Sequence, residues 1–219
     1  MTEQQRTGWL DERFGANSII GGFLYRKVPR GVGWWQTMGS ATLVVFILLL
    51  VTGAFLMFNY SPSPDHAYQS IEYINDTVQF GSLIHSIHHW AASAMVVLVG
   101  LHGLRTFFMA SYKYPREVTW ILGSILFVLV MVSSFTGYLL PWDQKAYWAT
   151  NVGTGIAAQA PLIGPWLQEL LVGGSTIGAL TLTRFFTLHV AILPPLIILL
   201  IGAHIFLVVR QGISAPPKK

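Results

Sequence analysis

Four stretches of this chain, approximately Trp34 to Phe58, Leu83 to Met109, Val118 to Leu140 and Phe185 to Val209, are each long enough to cross a bilayer, which takes about 20 residues of mostly apolar helix. Runs of that length leave a soluble fold no way to shield them. The composition points the same way. Of 219 residues, 53% are apolar and 10% are charged, with a mean hydropathy of +0.55, where a soluble domain carries roughly a quarter charged residues. Turn chemistry or interfacial aromatics bound the runs: Pro29 and Gly31 before the first, Ser61-Pro62-Ser63-Pro64 after it, Tyr114-Pro115 before the third and Pro141-Trp142 after it. The expected fold class is an all-α membrane protein, a bundle of four transmembrane helices. An even number of spans returns both termini to one side.

The charges say which side. Eleven of the 13 Lys and Arg residues lie before the first span, around the second-to-third connection or after the fourth span. The other two connections share Lys145 and Arg184 and carry Asp65, Glu72, Asp76, Asp143 and Glu169. By the positive-inside rule both termini are expected on the cytoplasmic side or its equivalent. The net charge of +4 is then a topology signal, and no nucleic-acid partner is expected. No cleavable signal peptide is expected either, because the first thirty residues have no apolar core. Within residues 1–33, a cytoplasmic-side amphipathic segment, Trp9, Leu10, Phe14, Ile19, Ile20, Phe23 and Leu24 are spaced for a helix lying in the interface. Residues 34–210 form the bundle and 211–219 a tail. The connection of about 40 residues between the third and fourth spans, long for a loop, holds Trp148, Trp166 and a second apolar stretch, and is expected to form short helices on the outer surface.

The chain has no cysteine, which excludes disulfides, thiolate metal sites, a thioether to haem and a cysteine nucleophile. Histidine is the informative residue. Of seven, His66 is in the first connection and His85 and His89 sit near the start of the second span; the remaining four are His88 and His102 on the second, 14 residues apart, and His189 and His204 on the fourth, 15 apart. Fourteen residues leave an α-helix about 40° short of four turns with a rise of ~21 Å, and fifteen carry it about 60° past them. Each of these helices therefore shows two histidines on nearly one face, one in each half of the hydrocarbon core. The two helices run in the same direction, so His88 should face His189 in the outer half and His102 should face His204 in the inner half. A zinc or copper site needs its ligands in one coordination sphere, which a separation of ~21 Å forbids, and a proton relay would bring intramembrane carboxylates, of which these runs have none. Two stacked His-His pairs suit two non-covalent b-type haems. Glycine repeats the interval, with Gly39 and Gly53 on the first span and Gly123 and Gly137 on the third, each pair 14 apart. Glycines at that repeat on the helices without ligands would leave room for a porphyrin, and Arg105, three residues past His102, could reach an inner-haem propionate.

Several segments carry a family resemblance: Ser86-Ile87-His88-His89-Trp90, Leu101-His102-Gly103-Leu104-Arg105, Tyr114-Pro115-Arg116-Glu117-Val118-Thr119-Trp120, Gly137-Tyr138-Leu139-Leu140-Pro141-Trp142-Asp143-Gln144, Leu180-Thr181-Leu182-Thr183-Arg184-Phe185 and Gln211-Gly212-Ile213-Ser214. Over nearly its whole length the chain resembles the N-terminal half of cytochrome b from quinol:cytochrome c or plastocyanin oxidoreductases, in the split form that ends after four helices. The resemblance implies quinol oxidation near the outer haem, bordered by Phe135, Tyr138 and the stretch from Trp142 to Val152, and quinone reduction near the inner haem, close to Met38 and Arg210. It implies as partners a three-helix C-terminal cytochrome b half of the subunit IV type, a Rieske iron-sulfur protein, a c-type cytochrome, quinone or quinol, and a second copy of the chain. The Pro-Glu-Trp-Tyr motif of the outer pocket is absent from this sequence, so the chain alone should not turn over quinol. Three positions depart from the photosynthetic pattern: Thr37 stands at the cysteine that bonds an extra haem, His85 replaces an arginine three residues before the first ligand, and Val209-Arg210-Gln211-Gly212 replaces Arg-Lys-Gln-Gly. They weigh toward a respiratory, menaquinol-using complex in a bacterial inner membrane, with a thylakoid complex as the other reading. Two other classes fit the histidines alone, a di-haem membrane anchor of a dehydrogenase or hydrogenase and a histidine-based transporter. The first has no need of the Pro-Trp-Asp-Gln motif, and the second would show no b-type absorbance band.

The charge distribution predicts that a protease-sensitive tag inserted at Ser63 is cleaved in sealed, right-side-out membranes, while one appended at Lys219 is protected. Cleavage of both would remove the even-span topology.

Overall fold

The computed structural model describes residues 32–214, so the expected interfacial helix of the N-terminal segment and most of the C-terminal tail lie outside the described residues. A short 3-10 turn, Trp34–Thr37, leads into α1, Met38–Met57; α2, Ala67–Asp76, follows, then α3, Gly81–Phe108, and α4, Glu117–Tyr138. After these come α5, Gln144–Ala157, α6, Gly164–Val172, and α7, Ala179–Phe186, which continues through a π-helical turn, Thr187–Ile192, into α8, Leu193–Gln211. Among the described residues four helical runs are long and apolar enough to span a membrane: Trp34–Met57, Gly81–Phe108, Glu117–Tyr138 and Ala179–Gln211. Three match the expected runs to within two residues. The fourth starts six residues before the expected Phe185, because Ala179–Phe186 is an amphipathic turn whose Thr181, Leu182 and Phe185 are fully buried at the end of the bundle.

The spans pack as two hairpin-like pairs, α1 on α3 and α4 on α8, joined along α3 and α4. Their outward faces are apolar. On α1, Val44, Ile47, Leu48, Val51 and Phe55 are exposed at helical spacing, as expected of a helix whose surroundings are hydrocarbon or another apolar chain. The inward face of each helix contributes one or two residues to an apolar middle layer: Phe46 from α1, Met95 from α3, Val130 with Leu126 from α4, and Ile197 with Leu193 from α8. Phe46, Met95 and Val130 each lie midway between the two glycines or histidines of their own helix. Seven residues are nearly two helical turns, so glycine or histidine, core residue and glycine or histidine recur on one face.

The helix ends follow from local chemistry. Asp143, the acid of the Pro-Trp-Asp-Gln motif, caps α5 by accepting a hydrogen bond from the Ala146 amide at 2.7 Å. Gly173, in the left-handed region at φ +77°, ends α6, and the Arg184 guanidinium donates to the last-turn carbonyls of Glu169 and Leu170, where the helix dipole favours a cation. At the other end of the bundle Arg116 donates to the carbonyls of Gln211 and Gly212, and the Thr119 hydroxyl donates to Gln211 Oε1 at 2.8 Å. Two segments that resemble the family's motifs therefore meet there. The α2 helix has no counterpart in the sequence expectation. It is held by Ala67 and Ile74, both fully buried and seven residues apart on one face.

A second buried cluster, Ala67, Leu139, Leu182 and Phe185, closes the α2 end of the bundle with Tyr60, Phe135, Leu140, Trp142 and Leu171 around it. Tyr60 stacks on Phe186 with ring centres 5.7 Å apart and donates its hydroxyl to the Leu140 carbonyl at 2.7 Å. Burial pushes its phenol well above the ordinary tyrosine range. Because the neutral phenol is favoured in the fold, this contribution to stability is complete below about pH 10, where an unfolded tyrosine titrates, and is lost as pH rises further. Tyr60→Phe keeps the stacking and leaves the carbonyl unpaired, so it should cost about 1 kcal/mol and lower the apparent melting temperature by about 2–4 °C. The deficit should shrink above about pH 10, and a deficit that does not change with pH would exclude the Tyr60 hydroxyl as its cause.

Candidate functional site

The four intramembrane histidines sit on α3 and on the run from the π turn into α8, and each is paired with a glycine of the neighbouring helix. A side chain added at Gly53 would place its Cβ 3.2 Å from His88 Cε1; at Gly39, 3.1 Å from His102 Cε1; at Gly123, 3.2 Å from His204 Cε1; and at Gly137, 2.5 Å from His189 Cε1. The room that the glycines were expected to leave for a porphyrin is here filled by an imidazole edge. Glycine is required because the helices approach closely with a ring between them, and the smallest Cβ would meet that ring.

The ring nitrogens are oriented by the same helices. Thr52, one residue before Gly53, donates its hydroxyl to the Leu48 carbonyl at 2.7 Å, so the 2.9 Å contact between its oxygen and His88 Nδ1 has the histidine as donor. His189 Nδ1 lies 2.9 Å from the Ser133 carbonyl, four residues before Gly137, and 3.4 Å from the hydroxyl of Thr136, which itself donates to Ser133. A carbonyl only accepts, so Nδ1 again carries the proton. Both rings are therefore held in the tautomer whose Nε2 has a free lone pair, the form that ligates metals. Neither Thr52 nor Thr136 was among the residues expected at the site, although both are buried. The signal was present in the sequence as a Thr-Gly dipeptide at matching positions of the first and third spans.

The other pair is less complete. His204 Nδ1 is buried without a hydrogen bond, and its ring edge lies against Gly123. His102 sits with its ring edge against Gly39. Its Nδ1 has only the Arg105 guanidinium at a long 3.4 Å, while Arg105 Nε is buried with no partner at all. A half-buried cation with unused donors calls for an anion, since an unpaired charge in a low-dielectric interior is strongly unfavourable.

His88 and His189 have ring centres 6.4 Å apart and planes at 81°. With metal–imidazole bonds of about 2 Å and roughly 1 Å from nitrogen to ring centre, two histidines on opposite sides of one metal atom put their ring centres about 6 Å apart. Among the described residues no three His, Cys, Asp or Glu side chains gather to hold a bare metal ion. A pair of facing imidazoles is a complete protein ligand set only for a metal whose other positions are already filled.

The sequence of the chain matches the pattern described as Cytochrome b/b6/petB over residues 24–212. The chain belongs to the cytochrome b/b6 family. It is 39% identical to a cytochrome b6 of Synechococcus sp. (strain RCC307) over 208 residues, covering 95% of each chain. It is 41% identical to the menaquinol:cytochrome c reductase cytochrome b subunit of Geobacillus thermodenitrificans over 216 residues, covering 95% of this chain and 96% of that one. A chain of a solved hyperthermophilic respiratory Complex III superposes with a TM-score of 0.85 at 33% identity; the match covers 95% of this chain and spans 56% of that chain's length. Cytochrome b proteins bind b-type haem, and this one is an integral membrane protein with four candidate spans. The residues present fit that group: one facing imidazole pair whose rings are both fixed in the ligating tautomer, two further buried histidines seated on glycines, and a buried arginine whose unused donor suits a carboxylate.

The residues expected near quinone divide between the two ends. Phe135, Tyr138 and Trp142 are at the His189 end. Phe135 is edge-on to Phe185 at 5.5 Å and fills the space opposite Gly153, where a Cβ would come within 2.5 Å of its ring. Gly153 is thus a further residue of this end that the sequence did not single out. Trp142 adopts φ +54°, a left-handed conformation costing roughly 1–2 kcal/mol for a bulky residue, and is held there by its amide bond to the Leu139 carbonyl at 2.9 Å. Met38 adjoins Gly39, and Arg210 lies exposed in the last turn of α8; both are at the His102 end.

The glycine contacts predict an order of sensitivity. Gly137→Ala forces His189 to move and should lower the b-type haem content of the purified protein several-fold. Gly53→Ala, whose Cβ would stand 3.2 Å from His88 Cε1 so that the ring need give by only a few tenths of an ångström, should lower it less. Equal haem content in the two variants would show that the glycines do not set the ring positions.

Proposed function

We propose that the chain is the di-haem cytochrome b subunit of a quinol:cytochrome c oxidoreductase and carries electrons across the membrane between an outer quinol-oxidising site and an inner quinone-reducing site. The observation that carries this reading is the facing of His88 and His189 at a spacing that suits one metal atom, each against its own glycine. His88 and His189 would hold the outer haem and His102 and His204 the inner one, all through Nε2. Haem supplies one-electron redox chemistry between the ferric and ferrous states.

The chain's own groups prepare those sites. Thr52 and Ser133 hold the Nδ1 protons and so present Nε2 toward the space between α3 and α8. Arg105 stands where a propionate of the inner haem would satisfy its buried Nε, and its departure from His102 Nδ1 would free that nitrogen to carry the proton that ligation through Nε2 requires. The middle layer of Phe46, Met95, Val130 and Ile197 keeps water from the interval between the two sites. Phe135, Tyr138 and Trp142 would border the quinol site, and Met38 and Arg210 the quinone site.

The chain spans 56% of the structural neighbour's length, and a separate three-helix C-terminal cytochrome b half is one partner in the proposed assembly. A Rieske iron-sulfur protein, a c-type cytochrome and a second copy of this chain complete the expected assembly. The charge distribution supports both termini on the cytoplasmic side or its equivalent, and the departures at Thr37, His85 and Val209 favour a bacterial inner membrane over a thylakoid. Thr37 in place of a haem-bonding cysteine, and a relative named for menaquinol at 41% identity, favour a respiratory complex.

Replacing His102 or His204 by alanine should remove one haem per chain and leave the other, while replacing His88 or His189 should remove a spectrally different one. Quantitation of extracted haem with low-temperature difference spectra checks this, and retention of both haems in all four variants would defeat the assignment.

A further inference from the structure

Three of the four spans keep one interval and the fourth does not. Gly39 to Gly53, His88 to His102 and Gly123 to Gly137 are each 14 residues, and His189 to His204 is 15. Both histidines of the fourth span nevertheless seat on the glycines of α4, His204 on Gly123 and His189 on Gly137, and α4 is α-helical throughout. One residue of the fourth span must therefore be taken up somewhere. The core layer locates it. Phe46, Met95 and Val130 are seven residues from both neighbours of the pattern, whereas Ile197 is seven before His204 but eight after His189.

The extra residue thus lies between His189 and Ile197, where the span leaves α geometry. Thr187–Ile192 is a π turn, closed by the Leu193 amide on the Leu188 carbonyl five residues back. Such a turn holds one residue more than an α turn. One residue is about 100° of rotation, the difference between about 60° past four turns and about 40° short of them. Pro194 and Pro195 suit this location. They lack the amides that would otherwise meet the Val190 carbonyl four or five residues earlier, so the α ladder is already interrupted there.

We infer that the π turn is a one-residue register correction, which brings His189 round to His88 while His204 stays with His102, and that Thr187–Ile192 is a positioning element for the outer haem. The inference rests on the ligand assignment above. Deleting Ala191, an exposed residue of the turn, makes the interval 14 and allows a continuous α-helix. The variant should keep two haems per chain, with the two redox waves of the parent in a potentiometric titration. Inserting one alanine between Leu199 and Leu200, in the regular part of α8, adds a residue that nothing absorbs and should cut the haem content to one per chain. Loss of a haem on deleting Ala191, retention of both on the insertion, or failure of the deletion variant to reach the membrane where Ala191→Gly does, would overturn the inference. Failure of the ligand assignment is a different result, namely two haems retained in His189→Ala.

Discussion

An imidazole inside an apolar span needs room for its ring and an acceptor for one ring nitrogen; in this protein a glycine on the neighbouring helix provides the room at all four intramembrane histidines, and at His88 and His189 the turn around that glycine provides the acceptor as well. Gly137 leaves space for His189 while the carbonyl of Ser133, one turn earlier, takes its Nδ1 proton. Gly53 leaves space for His88 while Thr52 takes the proton. A buried donor without a partner is worth about 1–3 kcal/mol against the fold, so the ring is held in orientation as well as in place. The consequence is functional: the tautomer that satisfies the fold is the one that leaves Nε2 free.

That local arrangement sets the repeat of the whole bundle. Once two notches lie 14 residues apart on one helix, the residue midway between them faces the same way, and Phe46, Met95 and Val130 fill that level. The result is a polar pair, an apolar layer and a second polar pair stacked along the membrane normal. Each histidine is seated on a glycine and the layer between the two levels is apolar, which suits the proposed role of holding two haems apart. The end of the bundle around Tyr60, Leu139, Trp142 and Phe185 is held differently, by a buried cluster and by side-chain bonds to loop carbonyls. There the chain tolerates a tryptophan in a left-handed conformation, because the Leu139 carbonyl and the capped start of α5 fix the residues on both sides of it.

The two pairs are not equivalent. The His88–His189 pair has both Nδ1 protons placed by the protein, whereas the other has one buried nitrogen without a hydrogen bond and an arginine with a buried, unpaired Nε. The first pair is organised by the chain itself. The second leaves donors that an anionic group would satisfy, as the proposed haem propionate does.

The sequence by itself determined the four spans, the two histidine pairs and the glycines, because length, hydropathy and helical periodicity are properties of single helices. The facing of His88 and His189 followed from it, but what stands behind each ring did not. That the glycines receive imidazole edges, that Thr52 and Thr136 stand beside the rings, and that Phe135 lies against Gly153 all depend on how two helices approach, and no pattern within one helix carries that. The α2 helix escaped for a similar reason, since Ala67 and Ile74 are its only buried residues and too few to stand out as a period. The 15-residue interval was visible as a number, yet its meaning came only from the tertiary structure. An isolated helix has no reason to prefer an α or a π turn at Thr187–Ile192, and it is the fixed position of the glycines on α4 that makes one residue surplus there.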